Sequence, residues 1–403
     1  MNIGIDIRAL QTGHRFRGIG EVTKQVTNRI IKKANKDNHK IIFYEYLDSD
    51  PKEILNIPKD LNHRTIKVGK NPENDKNSTK FNKLKRNLKE LYGNPIARSG
   101  EADVFVQFDY AFGVPKNTRT VLIKHDLIPY VFWNSFFESA WVPFKNKALR
   151  TTLRTVFANY KFNRILKRSL KNANKIISVS DSTKKDIIRF FNIDDSKIDV
   201  VPLGVDTIPA VTSDTNNMIT MPTKPYLIFV GAGDERRRVD ELVAAYNNLK
   251  ADGYDIQLVL VGENFKEPKQ IPNKRTRDAV LLSSYSKDIL TMGYVDDATK
   301  QRLFRGAVAF VYPTQYEGFG IPILEAFLLE TPVITYRNSS IPEVGGDQAI
   351  YADDWTDILK EAKTLLGEDK EKRQKRIDSA KKYVKKFTWE KTADNIYRKV
   401  VKG

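Results

Sequence analysis

Residues 226–262 read YLIFVGAGDERRRVDELVAAYNNLKADGYDIQLVLVG. Each end is a short apolar run that closes on a glycine, Gly231 and Gly262, and the stretch from about Arg238 to Asp252 between them reads as a helix. Strand, helix and strand in that order predict two parallel strands joined by a crossover, the repeating unit of an α/β sheet. Toward the C-terminus the alternation continues through strand-like ILTMGYV, the helix DATKQRLFRGA, the strand VAFVYP, a helix from about Pro322 to Leu329 and the strand PVITY. Toward the N-terminus it is interrupted by TIPAVTSDTNNMITMPTKP, which has no periodicity and reads as a linker. Before the linker come strand-like MNIGIDIRAL, HKIIFYEYLD, DVFVQFD, RTVLIKHD and KIISVS, with IDVVPLGVD closing this half. Helices are expected among them at about Glu21–Lys36, Thr79–Leu91, Trp141–Asn172 and Asp181–Phe191, with QTGHRFRGIG as a loop. The two runs predict two Rossmann-like parallel-sheet domains over 1–206 and 225–385, a linker over 207–224, and a final amphipathic helix over 386–403.

The 403 residues contain no cysteine, which excludes a disulfide framework and a thiolate metal site. MNIGIDIRAL shows no basic-then-apolar signal pattern, and no run approaches the ~18 apolar residues that span a bilayer. A cytoplasmic protein is expected, one that meets a membrane only from its surface. The formal charge of +18 is unevenly placed: residues 1–203 hold 38 Lys and Arg against 21 Asp and Glu, and residues 204–403 hold 30 against 29. Any anionic partner selected by charge therefore meets the first half.

Ligands of open α/β sheets bind beyond the carboxyl ends of the strands, so the residues just past each strand are the candidates. In YEGFGIPILEAF, Glu317 and Glu325 flank a bend in which Gly318 and Gly320 let backbone approach a ligand, and Pro322 suits the first turn of a helix. The free N–H groups of that turn favour a phosphate, and Glu325, expected in the first turn, is suited to ribose hydroxyls. A structural turn with surface acids is the bland alternative. In GAGDERRRVDEL, Arg236, Arg237 and Arg238 are expected at a helix start, where cations are unfavourable by roughly 0.3–1 kcal/mol each. They call for an anion: a diphosphate, or the nearby Asp234, Glu235, Asp240 and Glu241. Gly18 and Gly20 precede the first helix without the full dinucleotide spacing, so a plain turn competes with a phosphate site. His125-Asp126 ends the strand RTVLIKHD, and His125 is one of only four histidines.

In this order these elements resemble the family 4 retaining glycosyltransferases (glycosyl transferases group 1), proteins of GT-B fold. The resemblance runs through GIDIRAL…GIGEVT, HDLIP, IISVSDSTKKDI, VVPLGVD, GAGDERRR, LVLVG, MGYVDDATKQRLFRGAVAFVYPTQYEGFGIPILEAF and TPVITYRNSSIPEVGGDQA. It implies two domains facing across a cleft, the first binding acceptor and the second a nucleotide sugar, with the last helix, carrying Trp389, crossing back to brace the first. It also implies roles: Glu317, Arg236 and Arg237 contact the donor sugar and diphosphate; the backbone of Gly318, Phe319, Gly320 and Ile321 lines the sugar-phosphate pocket; Glu325 binds ribose. Backbone near Val295 meets the base, His125 lies near the donor sugar and reaction centre, and Gly18 lies near the phosphates. Two departures stand out. Arg237 replaces a frequent Lys, and Glu330 stands before TPVI where the family usually has a Gly that supplies positive φ.

The expected reaction moves a sugar from a nucleoside diphosphate sugar to an acceptor hydroxyl with retention. No cofactor or metal is expected, because arginines would neutralise the leaving group. Family frequency favours a uridine over a guanosine diphosphate donor. Between Ser139 and Ser180 there are ten Lys and Arg and no acid, beside the aromatics Tyr130, Phe132, Trp133, Phe136, Phe137, Trp141 and Phe144. That stretch, 130–175, suggests contact with an anionic membrane surface and a glycan, lipid-linked or cell-envelope acceptor, at the inner face of the cell membrane, or with a polyanionic chain; core aromatics beside a solvated basic face are the plain alternative. The rivals are a metal-dependent transferase using Asp48-Ser49-Asp50, a phosphorylase on the same plan, and a non-enzymatic binder of nucleic acid or another polyanion, which would leave Glu317, Glu325 and the arginines unexplained.

Overall fold

The computed structural model describes residues 1–47, 50–68, 71, 101–108, 114–115, 117–132, 149–206 and 221–402. The helix expected near Thr79–Leu91, the aromatic run from Trp133 to Phe144, the Asp48-Ser49 pair and most of the linker lie outside these residues.

Apolar runs that are buried on both faces become parallel strands. In the first sheet they are β1 (Asn2–Asp6), β2 (Lys40–Glu45), β3 (His63–Lys67), β4 (Val104–Gln107), β5 (Arg119–Lys124), β6 (Lys175–Ser178) and β7 (Ile198–Val200). In the second they are β8 (Tyr226–Val230), β9 (Gln257–Val261), β10 (Ile289–Met292), β11 (Ala309–Tyr312), β12 (Val333–Tyr336) and β13 (Ile350–Ala352). The orders are β3-β2-β1-β4-β5-β6-β7 and β10-β9-β8-β11-β12-β13. Both sheets therefore start at the centre, grow to one edge, return and grow to the other. The reversal falls between β1 and β4 in one sheet and between β8 and β11 in the other.

The helices are α1 (Gly18–Lys36), α2 (Ile128–Val131), α3 (Leu149–Asn172), α4 (Asp181–Phe191), α5 (Val239–Ala251), α6 (Lys274–Leu281), α7 (Asp297–Gly306), α8 (Ile321–Leu328), α9 (Ile341–Gly345), α10 (Trp355–Leu366), α11 (Lys370–Val384) and α12 (Trp389–Lys402). The chain divides into two units, one of residues 1–204 with 388–403 and one of residues 205–387. In the first, α12 buries Trp389, Thr392, Ala393, Ile396, Tyr397 and Val400, the three-and-four spacing of an apolar face. Its polar side is tied to α1: Lys33 Nζ lies 2.9 Å from Glu390 Oε1, and the Tyr397 hydroxyl donates to Asp37 Oδ2 at 2.7 Å. The carboxylates of Glu390 and Asp394 hold the Lys33 ammonium above its ordinary pKa, with the Asp394 hydrogen bond the largest cause. Gly204 is obligatory there, since a Cβ on it would lie 2.0 Å from Trp389 N.

Several expectations shift. Helix α1 begins at Gly18 rather than Glu21, and the loop before it winds into two 3-10 turns, Arg8–Gln11 and Gly13–Phe16. Strand β3 was not legible, because HRTIK is a half-exposed edge strand with no apolar alternation. Helices α6, α10 and α11 and the three-residue β13 were also passed over; α11 carries only Ile377, Ala380 and Val384 as buried residues in a charged sequence.

Candidate active site

At a topological switch point two neighbouring loops leave the sheet in opposite directions and open a crevice. In the second sheet those loops follow β8 and β11. The loop after β8 turns at Gly231 and winds Glu235–Arg237 into a 3-10 turn; the loop after β11 runs from Pro313 to Gly320. They meet through charge. Arg236 Nη1 lies 2.6 Å and Arg237 Nη1 2.5 Å from Glu317 Oε1. Thr314 Oγ1 donates to the same oxygen at 2.8 Å, and Arg236 Nη1 also donates to Tyr316 O at 2.8 Å. The Arg237 guanidinium lies 4.9 Å over the Tyr312 ring and donates to its hydroxyl. Arg236 Nε reaches Asp234 Oδ1 at 3.0 Å.

Glu317 is buried, with 7% of its surface exposed. Two mostly buried guanidiniums face this one carboxylate, and the other acid in reach, Asp234, is 44% exposed. Water screens the buried contacts of Glu317 with the two arginines weakly, while Asp234, 3.0 Å from Arg236 and 3.8 Å from Arg237, meets solvent. The arrangement suits an anion with two charges, held by planar donors.

The three arginines do not act alike. Arg236 and Arg237 stand in the turn ahead of α5 rather than at its start, and the anions they meet in this structure are Glu317 and the neighbouring Asp234, the latter one of the acids expected as the alternative. Arg238 caps α5 with φ +48° and pairs with Glu241 Oε1 at 2.7 Å, one of the neighbouring-acid partners foreseen as the alternative. Glu241 Oε2 accepts from the Tyr336 hydroxyl. Burial, then that hydrogen bond, push the Tyr336 phenol well above its ordinary pKa.

The bend after Glu317 ends at Gly320, whose φ of +111° favours glycine. Ile321 then opens α8 with Pro322 in its first turn. Because the helix starts there, Glu325 falls in its second turn, not the first, and its Oε1 pairs with Lys300 Nζ at 3.0 Å. Phe319 is buried, and Val295, 7% exposed, lies between β10 and the Asp296 cap of α7. Three residues that the sequence reading did not single out, Asn338, Ser339 and Ser340 after β12, hydrogen-bond to this bend. Their place just past a strand's carboxyl end was the available signal, and nothing in their residue types added to it.

In the first unit, Gly18 and His125 both follow carboxyl ends of strands, β1 and β5. A Cβ on Gly18 would meet nothing within 4 Å, whereas one on Gly20 would lie 2.4 Å from His14 O. Gly20 is thus required by packing and Gly18 fronts open space. His125 Nε2 lies 2.9 Å from Phe108 O, so that nitrogen carries the hydrogen and donates. Asp126 Oδ1 accepts from Ile128 N at 3.0 Å, just ahead of α2.

Two doubly wound parallel sheets define the GT-B class of fold. Family descriptions agree with it: "Glycosyltransferase Family 4" matches residues 25–208 and "Glycosyl transferases group 1" matches residues 217–383. The chain belongs to this glycosyltransferase family. Among its relatives, O-antigen chain mannosyltransferase B of Escherichia coli is 32% identical over 197 residues, 47% of this chain and 50% of that protein. Alpha-maltose-1-phosphate synthase of Mycobacterium tuberculosis is 29% identical over 255 residues, 57% of this chain and 64% of that one. The chain thus matches these curated relatives over half to under two thirds of their length. Among solved structures, HepE of Anabaena in complex with UDP-glucose is similar along all of both chains, with a TM-score of 0.65 at 13% identity, a likeness of fold.

Proposed function

We propose that the chain transfers a sugar from a nucleoside diphosphate donor to a hydroxyl of a glycan, lipid-linked or cell-envelope acceptor, with retention and without a metal ion. The observation that carries this is the meeting of Arg236, Arg237 and Glu317 at the switch point of the second sheet, at 2.6 and 2.5 Å. The arginines neutralise the diphosphate as the bond from the anomeric carbon to its oxygen breaks. The acceptor oxygen bonds to the same face of that carbon, and its proton passes to the leaving phosphate oxygen. Glu317 then serves the sugar hydroxyls, the Gly318–Ile321 backbone lines the sugar-phosphate, Glu325 takes ribose hydroxyls and backbone at Val295 meets the base. In this reading Gly18 serves the phosphates, His125 serves the donor sugar, and the first unit receives the acceptor. The UDP-glucose bound to HepE and the O-antigen mannosyltransferase among the relatives support a donor and an acceptor of these classes, with a uridine donor favoured. Membership in a glycosyltransferase family favours this reading over a non-enzymatic polyanion binder.

Transfer assays with nucleotide sugars in EDTA, with the product anomer read by NMR, test it. Full activity in EDTA and a retained anomer are expected. Glu317→Ala and Arg236→Ala are each expected to lose about a hundredfold to a thousandfold in turnover. A strict metal requirement or an inverted product would overturn the proposal.

We also place the protein in the cytoplasm at the inner membrane face, through 130–175. The ten bases and no acids between Ser139 and Ser180 support attraction to anionic lipid. No described helix is long and apolar enough to cross a membrane. Co-sedimentation with anionic but not neutral liposomes is expected; absence from both would refute the membrane contact.

A further inference from the structure

We propose that Asn338, Ser339 and Ser340 are positioning residues that hold the Glu317 bend in its working shape. This rests on the reading of that bend as the sugar-diphosphate site.

The three residues follow β12, and the bend follows β11, its parallel neighbour in the sheet. Between the two loops the hydrogen bonds close a circuit. Asn338 Nδ2 donates to Thr314 O at 2.8 Å, and Thr314 Oγ1 donates to the Glu317 carboxylate at 2.8 Å. Glu317 N donates to Ser339 Oγ at 2.9 Å, and Ser339 Oγ donates back to Asn338 Oδ1 at 3.1 Å. Ser340 adds a second clamp. Its hydroxyl, fully buried, lies 2.9 Å from Glu317 O and 2.8 Å from Phe319 O and is shared between them. The backbone N–H and C=O of Glu317, the C=O of Phe319 and, through Thr314, the carboxylate itself are thus all set by one neighbouring loop.

Ser339 holds φ at +44°, a left-handed conformation that a side chain disfavours. Strain of this kind persists only where surrounding bonds over-determine it. Here the strained residue is the one whose hydroxyl receives the Glu317 amide. Any buried turn needs partners for its backbone groups; here those partners come from one loop and converge on Glu317, the residue that faces Arg236 and Arg237.

The test uses the full chain and the variants Ser339→Ala and Ser340→Ala. Ser339 is half-buried, so its variant is the safer of the two should Ser340→Ala fail to fold. Amide hydrogen exchange over Glu317–Gly320 is read against β8 amides of the same protein, and affinities for UDP and UDP-glucose are measured beside it. Exchange in the bend is expected to accelerate at least about tenfold while β8 stays unchanged, a local opening rather than a global one. The ratio of UDP-glucose to UDP affinity is expected to fall with it, because both ligands share the phosphate contacts of the bend and only UDP-glucose has sugar contacts there to lose as well. Unchanged exchange, or faster exchange with that ratio preserved, would overturn the proposal. A wild-type chain that binds neither probe would count against the functional reading, while the exchange result would still decide whether these residues hold the bend.

Discussion

At Glu317 one carboxylate occupies the two guanidiniums that the proposed diphosphate would take. It is therefore an internal competitor as well as a candidate for sugar contact. The two roles give opposite signs in one variant. Glu317→Gln removes the competing charge and keeps the shape, so UDP is expected to bind about three- to tenfold more tightly, roughly 0.7–1.4 kcal/mol, while turnover falls. Calorimetry of UDP with both proteins checks this; weaker UDP binding in Glu317→Gln would show that the carboxylate organises the arginines rather than competing for them. The residue scale is also where the sequence was most readable. Arg236, Arg237 and Glu317 were marked as ligand-facing from their place after strands, and the structure brings them together. That Glu317 itself would be their anion was hidden, because 81 residues separate it from Arg236 and no local pattern records a tertiary ion pair.

At the scale of elements, the end of α8 tests the backbone argument. Glu330 follows that helix with φ +64°, where a glycine would sit without strain. Its side chain pairs with Lys381 Nζ at 2.8 Å, on a surface that leaves both groups more than a third exposed. Comparing Glu330→Gly with Glu330→Ala removes the carboxylate from both and isolates the conformation. The glycine variant is expected to be the more stable by about 1 kcal/mol in denaturant unfolding. Equal stabilities, or a more stable alanine variant, would contradict the assignment. Elements with long apolar runs or clear caps were legible in the sequence: α4 spans Asp181–Phe191 as expected, with Ser180 capping it. Those that were not legible share a cause. β3 and α11 face solvent over most of their length, so burial left little periodicity to read.

At the scale of the molecule, a single reading covers both halves: each sheet is doubly wound, and the second places its charged constellation at the point where strand order reverses. The alternation of strands and helices made the fold class legible, while the strand order that puts β8 beside β11 depends on pairing across more than eighty residues and was not. The central claim, that this constellation receives a sugar-linked diphosphate, is tested most directly by titrating the common nucleotide sugars into the wild-type chain and the double variant Arg236→Ala/Arg237→Ala. Saturable binding of at least one donor to the wild type, weakened at least about a hundredfold, or roughly 2.7 kcal/mol, in the double variant, is predicted. Flat titrations with every donor, or equal affinity in the two proteins, would contradict it.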